Sequence, residues 1–510
     1  MQRQACFSHR EVFYKAFGRG LEDATELHTF GMNVFFWGRL MEAKGKRKPF
    51  VPELIAGAGL VFLLATLLVI APRKSQAVPA FATQTGQPCS ACHVGAFGPQ
   101  LKQTGRDFKL YGYVNSDGQA HLPPIAASSQ TDFTHAQKAI PGGAAPGFKD
   151  NNNLLEDQFS FYYAGKVTDN IGAFSQWTRN GVSHTWGWDN QDYRAIVHKD
   201  DFHGHDVLVG LDVNNNPTVS DIWNSTPAWG YPYDGSSLAP TPSEHTLIDG
   251  GLGHLVMSVG AYTMVDNLFY AELATFGNIS PGGQIALGNQ AVDGQDTFPG
   301  ALPYWRLALQ HDFGDHYFQV GTYGLNARRS PGGLTTAGTD SITDIAFDTN
   351  YQYSGSKDHF VSAHATLITE DDDLSANHVL NGTNSSDRLN TLRGDISYSY
   401  QNTWTPYFQL FKTWGSSDAA LYPNSVNGSP NSAGYVAELG WVPWGKPDSP
   451  AFDWFNGRLS LQYTGYTEFE GTSSHASDNN TLMLHLWMAI DPLTPLQPKN
   501  ECEQSEQYCR

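Results

Sequence analysis

The feature that most constrains this chain is a period-two alternation of apolar and polar residues, running from about residue 154 to residue 490. In Ile396-Ser397-Tyr398-Ser399-Tyr400 the two kinds alternate without a break. Leu459, Leu461 and Tyr463 alternate with Ser460, Gln462 and Thr464, and Leu482, Leu484, Leu486, Met488 and Ile490 share one face. A β-strand places residues two apart on one side, so this pattern reads as strand after strand. The connections say more than any one strand. Tight turns at Asp169-Asn170, Asp266-Asn267, Gly314-Asp315 and Asn402-Thr403 alternate with longer polar loops at 214–253, 277–302, 370–387 and 414–432. Short turns at one end and long loops at the other mark a transmembrane barrel, with one strand face on lipid and the other on a polar lumen. A soluble sandwich is the competing arrangement, and it would not keep that asymmetry. The tally is about fifteen strands. Unpaired backbone groups are costly in hydrocarbon, and single-chain barrels favour even numbers. The expectation is therefore about sixteen, with a strand missed just before Leu154 or inside 214–253.

Composition agrees with that class. Aromatic residues are 13% and glycines number 51, while charged residues are 16%, which suits a turn-rich β protein better than a helical one. The mean hydropathy is negative, which excludes a multi-helix membrane protein but not a barrel, whose strands average out. A net charge of −19 argues against a nucleic-acid partner and fits either plain solubility or a loop surface that attracts cations.

The first 77 residues read as an N-terminal extension and an export signal. Lys44, Lys46, Arg47 and Lys48 form a basic region, residues 54–71 an apolar run, and Ser75-Gln76-Ala77 a small-residue cleavage site. Cleavage after Ala77 is the preferred reading over an uncleaved anchor. Met41 directly precedes the basic cluster and is a candidate start, which would leave Cys6 out of the working protein.

Residues 78–150 hold the sharpest motif. Cys89-Ser90-Ala91-Cys92-His93 is the C-x-x-C-H pattern by which a c-type haem is attached. Two thiols at this spacing add to two vinyl groups on one porphyrin edge, and the following imidazole reaches the iron as its axial ligand. A thioredoxin-like motif would need a βαβ context, and a structural zinc site a second ligand pair; neither is nearby. The cofactor-binding residues are thus Cys89, Cys92 and His93, with His93 the metal ligand and one covalent haem c the cofactor. The sixth ligand stays open among Met257, Met264, Met483, Met488, His121, His135 and none, since no Met lies between Val78 and Asn153. Gly105 to Tyr113 reads as a short helix ending at Gly112. Its Phe108, Leu110 and Tyr111 either pack on the porphyrin or close a small core. Residues 114–153, rich in Gly, Pro, Ala and Ser, read as a linker.

Three further groups were weighed. Glu370, Asp371, Asp372 and Asp373 read as a solvated loop rather than a calcium site. His198, His203 and His205 have metal-like side chains but match no established spacing. Cys502 and Cys509, in the tail 491–510, could close a small disulfide loop.

The order of parts resembles the fused monohaem cytochrome c–porin family of outer-membrane iron oxidases. The residues that carry the resemblance are Pro79-Ala80-Phe81-Ala82, Gln84-Thr85-Gly86, Cys89 to His93, Gly105-Arg106, Phe108-Lys109-Leu110 and Gly112-Tyr113, with Asn480-Thr481-Leu482 through Trp487-Met488-Ala489 at the end. The haem segment is specific; the match over 154–490 is one of architecture. The resemblance implies an all-β fold, a transmembrane antiparallel β-barrel of about 16 strands preceded by a small α-helical c-type haem segment. It also implies a Gram-negative outer membrane and its lipid as the setting. The implied activity is that of an iron:cytochrome c oxidoreductase, passing electrons from extracellular Fe(II) through the haem to a periplasmic c-type cytochrome. Only Cys89, Cys92 and His93 carry over residue by residue. The long N-terminal extension and the tail depart from the family's plan. The alternatives are a solute-diffusing porin with a structural or sensory haem, or a conduit for another extracellular donor or acceptor.

Overall fold

A computed structural model describes residues 79–118, 124–289, 294–446 and 455–493. The export-signal reading, Cys6, His121, Cys502 and Cys509 lie outside them. Three short helices come first: α1 (Pro79–Thr85), α2 (Cys89–Cys92) and α3 (Gln103–Leu110). Sixteen strands follow: β1 (Ile125–Ala136), β2 (Asn153–Lys166), β3 (Ile171–Asn180), β4 (Trp186–Phe202), β5 (His205–Asn214), β6 (Val256–Val265), β7 (Phe269–Asn278), β8 (Leu302–Phe313), β9 (His316–Arg329), β10 (Asp340–Tyr353), β11 (His359–Asp373), β12 (Ser386–Tyr400), β13 (Trp404–Gly415), β14 (Ser432–Trp441), β15 (Phe455–Glu468) and β16 (Thr481–Ile490). Two short helices sit in the loops, α4 (Pro281–Ala286) and α5 (Ser375–Asn381). Each strand pairs antiparallel with its neighbours in sequence, and β1 closes on β16 from Ala127↔Ile490 to Ala136↔Thr481, so no sheet edge is left.

The barrel therefore begins at Ile125, inside the stretch read as a linker, and β1 is the strand missing from the tally. Its outward positions are Ser129, Thr131, Phe133 and His135, so the apolar face that betrays the other strands is nearly absent. The expected tight turns all fall at one end, the turn end, and the long loops at the other, the loop end.

Polarity is inverted relative to a soluble protein. Along β10, Asp344, Asp348, Asn350 and Gln352 are buried in the lumen, while Ile345 and Phe347 are exposed on the outside. Along β8, Arg306 and Gln310 point in while Leu307 and Leu309 point out. An apolar exterior around a charged interior is stable only where the exterior meets hydrocarbon. At the turn end this band finishes in paired aromatics: Trp404 stacks on Trp441 at 5.8 Å, and His316 Nδ1 lies 2.8 Å from the Tyr351 hydroxyl. Such girdles sit where hydrocarbon gives way to headgroups.

The loop 215–255 crosses the lumen, held on several sides. Ser237 N donates to Asp157 at 2.8 Å, Asp234 lies 3.1 Å from His485 Nε2, Ile248 N donates to Asp344 at 2.7 Å, and Arg393 pairs with Asp249 at 2.6 Å. Asp221 organises its first turn, accepting from the amides of Ser225 and Thr226 at 3.0 Å and pairing with Arg306 at 3.3 Å.

The acidic run at 370–373 is not a solvated loop. It belongs to the end of β11, so its residues alternate: Glu370 and Asp372 are buried on the lumen side while Asp371 and Asp373 are exposed. Four consecutive acids look like a loop by composition, but a strand that extends beyond the hydrocarbon tolerates them on both faces.

Candidate functional site in the barrel lumen

The helical segment 79–113 lies inside the turn-end half of the barrel. Pro88, with φ −69°, precedes α2, and the one-turn helix is closed by His93 N donating to the Cys89 carbonyl at 2.8 Å. The chain then doubles back. Val94 N donates to Gln100 O at 3.0 Å and Lys102 N to Cys92 O at 2.8 Å, which sets α3 against α2. Gly105 permits this approach, because a Cβ there would stand 2.6 Å from the Cys92 carbonyl oxygen. Helix α3 ends at Leu110, followed by Gly112 at φ +67°, a left-handed conformation that favours glycine.

The segment is tied to the wall on several sides. Lys102 Nζ donates to Ser90 O at 2.8 Å and to Asn402 Oδ1 at 2.9 Å, joining α2 to the β12–β13 turn. Arg106 donates to Gln352 at 2.6 Å and stacks over the Tyr317 ring at 3.8 Å. Lys109 donates to Val219 O at 2.7 Å and Asn224 Oδ1 at 2.8 Å, and Tyr113 donates to Asp192 at 2.6 Å. Asn456 on β15 donates to the Ala96 carbonyl at 3.0 Å and lies 3.2 Å from Cys89 Sγ.

Between this segment and the wall is a cavity of about 820 Å³. Cys89, Cys92 and His93 all line it, and no disulfide joins the two thiols. The barrel contributes Ala126 and Gln130 of β1 with Trp487 and Ala489 of β16 to the lining, and the loop contributes Trp229 and Tyr233. Phe97 meets Trp487 edge-on at 5.0 Å, and Phe81 stacks on Tyr113 at 5.3 Å. Burial pushes the His93 imidazole down to about 4, an effect the Gly98 carbonyl partly opposes, so the ring is neutral at ordinary pH. Its Nδ1 is buried with no hydrogen-bond partner among the described residues. Burial pushes the Cys92 thiol up to about 11 and the Lys102 amine down to about 8.

The structure thus brings together the three residues singled out by sequence. Phe108 and Tyr111 line the cavity, while Leu110 packs instead into the core around Trp223 and Tyr262. None of the methionines proposed as a sixth ligand lines the cavity, nor does His135, which lies 2.9 Å from Asn152 at the loop end. The three histidines of the cluster do not converge on one point. His203 occupies the β4–β5 turn at φ +55°, His205 pairs with Asp266 at 2.7 Å on the surface, and no group of three or more ligating residues that could hold a metal occurs among the described residues.

Sequence reasoning missed Asn456, Gln352 and Asp192, and it placed Asn402 in a tight turn and 214–253 in a polar loop without the inward role that both have here. Period two tells which face a residue occupies but not which distant residue it meets.

No family model matches this chain, and no curated protein does. Among solved structures, it is similar to an anion-selective porin from Comamonas acidovorans (11% identity, 72% of this chain and 98% of the other, TM-score 0.42). It is also similar to Pseudomonas putida OprB (13%, 72% and 93%, TM-score 0.43) and to the outer membrane channel DcaP of Acinetobacter baumannii (8%, 72% and 96%, TM-score 0.39).

Proposed function

We propose that this chain is an outer-membrane cytochrome–porin: a lipid-embedded barrel that holds one covalent c-type haem in its lumen and passes electrons from extracellular ferrous iron to a periplasmic c-type cytochrome. The observation that carries the reading is the convergence of Cys89, Cys92 and His93 on one large cavity inside the barrel. The residues present fit the group. Two thiols and an imidazole share one wall, the volume lies in the range of cofactor pockets, and aromatic rings such as Phe81, Phe108, Trp229 and Trp487 stand among polar residues in the lining. Cys89 and Cys92 would form the thioethers and His93 the axial bond. Haem, when bound, supplies reversible one-electron chemistry tuned by its axial ligand and its surroundings.

The chain's own residues do the rest. Lys102 and Asn402 fix α2 against the wall, Asn456 fixes the turn after it, and Phe97, Phe108 and Trp487 supply apolar surface to the cavity. Short turns face the periplasm in such barrels, so the segment sits beside the periplasmic mouth. The hydrocarbon core is about 30 Å thick, so a site held inside the membrane shortens the distance that separates the two partners.

The test is reduction of purified protein by ferrous iron, followed by its c-type absorption bands, with a mass measurement of the peptide spanning Cys89 to His93. The expected result is a covalent adduct and ferrous-dependent reduction, altered in His93→Ala. No adduct ends the haem reading, and an adduct that stays oxidised in excess ferrous iron ends the iron reading. A second reading, a solute-diffusing porin, is favoured by the strand count alone, since barrels of this size can enclose an aqueous channel. Large open-channel currents in planar bilayers would support it.

A further inference from the structure

The site lies in the turn-end half of the barrel, so an electron entering at the loop end has the other half to cross. One wall of the lumen carries aromatic rings over that interval. Tyr233 lines the cavity, with its ring centroid 5.4 Å from Tyr231 and 5.8 Å from Tyr407. Tyr231 and Tyr407 are stacked at 4.9 Å with planes 9° apart. Phe411, four residues further along β13, packs against the cluster that Tyr231 and Tyr407 form with Val436. Phe411 then meets Tyr466 on β15 at 5.7 Å, and Tyr466 meets Phe469 at 4.9 Å, where β15 gives way to the loop 469–480.

The contact between Phe411 and Tyr466 crosses an entire strand. Phe411 pairs with Gly434 of β14, and Gly434 pairs with Tyr466. A Cβ on Gly434 would lie 2.7 Å from Phe411 Cζ, so the missing side chain is what lets the two rings meet. From Tyr407 to Phe411 is four residues and from Tyr466 to Phe469 three, which at about 3.4 Å per residue covers about 24 Å along the strands. Tyr231, Tyr407 and Tyr466 are buried, and Arg458 lies 5.2 Å over the Tyr407 ring.

We infer that Phe469, Tyr466, Phe411, Tyr407, Tyr231 and Tyr233 form an electron path from the loop end to the cavity. The inference rests on the haem reading above. One electron leaves a ferrous ion, which becomes ferric, and arrives at the ferric iron of the group held by Cys89, Cys92 and His93, which becomes ferrous. The rings bridge the gap without themselves being oxidised, so no bond breaks and no proton moves. Electron tunnelling falls steeply with distance, and packed rings divide one long gap into short ones.

Two measurements separate the path from the haem. In the first, all five native cysteines are replaced by serine, so no haem can attach, and Ser473→Cys carries a ruthenium photo-oxidant at the loop end. Flash oxidation should produce a tyrosyl radical first at Tyr466 and then, in a second phase, at the inner tyrosines; that second phase is lost in Tyr231→Phe/Tyr233→Phe/Tyr407→Phe and slowed in Phe411→Leu. A signal indifferent to both variants overturns the path whatever the fate of the haem reading. In the second, haem-loaded Phe411→Leu/Tyr466→Leu is reduced by ferrous iron more slowly by on the order of tenfold, with unchanged absorption bands and midpoint potential. Tyr466→Phe, which keeps the ring, retains the original rate. An unchanged rate in the double leucine variant overturns the path while leaving the haem reading intact.

Discussion

Replacing Gly105 by alanine tests whether the packing of α3 on α2 holds the site together. Two effects oppose each other. Alanine is favoured over glycine inside a helix by about 1 kcal/mol. Against that, the new Cβ would stand 2.6 Å from the Cys92 carbonyl oxygen and 2.9 Å from Leu101 Cδ2. The carbonyl cannot simply turn away, because it accepts the Lys102 amide at 2.8 Å. Overpacking against backbone rather than a flexible side chain belongs at the upper end of the usual range, about 3 kcal/mol. The clash therefore wins by about 2 kcal/mol, or about thirtyfold in the population of undocked segment.

The assay is amide hydrogen exchange by mass spectrometry in detergent, comparing peptides over residues 89–110 with peptides from β10 to β12. The expected outcome for Gly105→Ala is exchange faster by about thirtyfold in the first set and unchanged in the second. Gly282→Ala in α4 is the control, since a Cβ there meets nothing within 4 Å and only the helix preference operates. Equal protection in wild type and Gly105→Ala would refute the claim that this contact limits opening. Faster exchange over 89–110 in both alanine variants would show that the effect is not local.

Two further perturbations probe the lumen and the exterior. Asp221→Ala removes the acceptor that shapes the start of the loop 215–255 and one partner of buried Arg306, at a cost of about 3–5 kcal/mol; single-channel recording should show a higher or noisier conductance, and an unchanged trace would mean that the loop is held without it. Phe347→Arg places a charge on the exterior of β10, where Phe347 is 58% exposed, at a cost of about 2–4 kcal/mol if the position lies at mid-membrane; a lowered urea midpoint of the folded barrel in lipid vesicles is the expected result, and an unchanged midpoint would place that face outside hydrocarbon.

What the sequence revealed was what local order can reveal. The C-x-x-C-H motif is contiguous, and its three residues share a wall because a one-turn helix puts them there. The strands from β2 onward announce themselves through faces such as Leu307 and Leu309 against Arg306 and Gln310. β1 does not, because Ser129 and Thr131 stand where an apolar residue would signal the outside. The acidic run 370–373 misleads for a related reason: composition is read before periodicity when every residue is of one kind. The ties that hold the site were illegible because their partners are far apart in sequence. Lys102 and Asn402 are 300 residues apart, and Asn456 meets the Ala96 carbonyl across 360.

That separation has a consequence for how the site is made. Two of the cavity's walls are β1 and β16, the first and last strands, which meet only when the ring closes. Gln130 and Trp487 are register partners across that seam, and both line the cavity. Beside them, His485 of β16 sits between Asp132 of β1 and Asp234 of the loop, an arrangement that ties the seam to that loop. A chain with an open barrel would carry the same three ligating residues on the same short helix, but without the wall of β1 and β16 and without the burial that lowers the His93 pKa. The local motif therefore specifies which atoms grip the ligand, whereas closure of the whole barrel specifies the environment in which they do so.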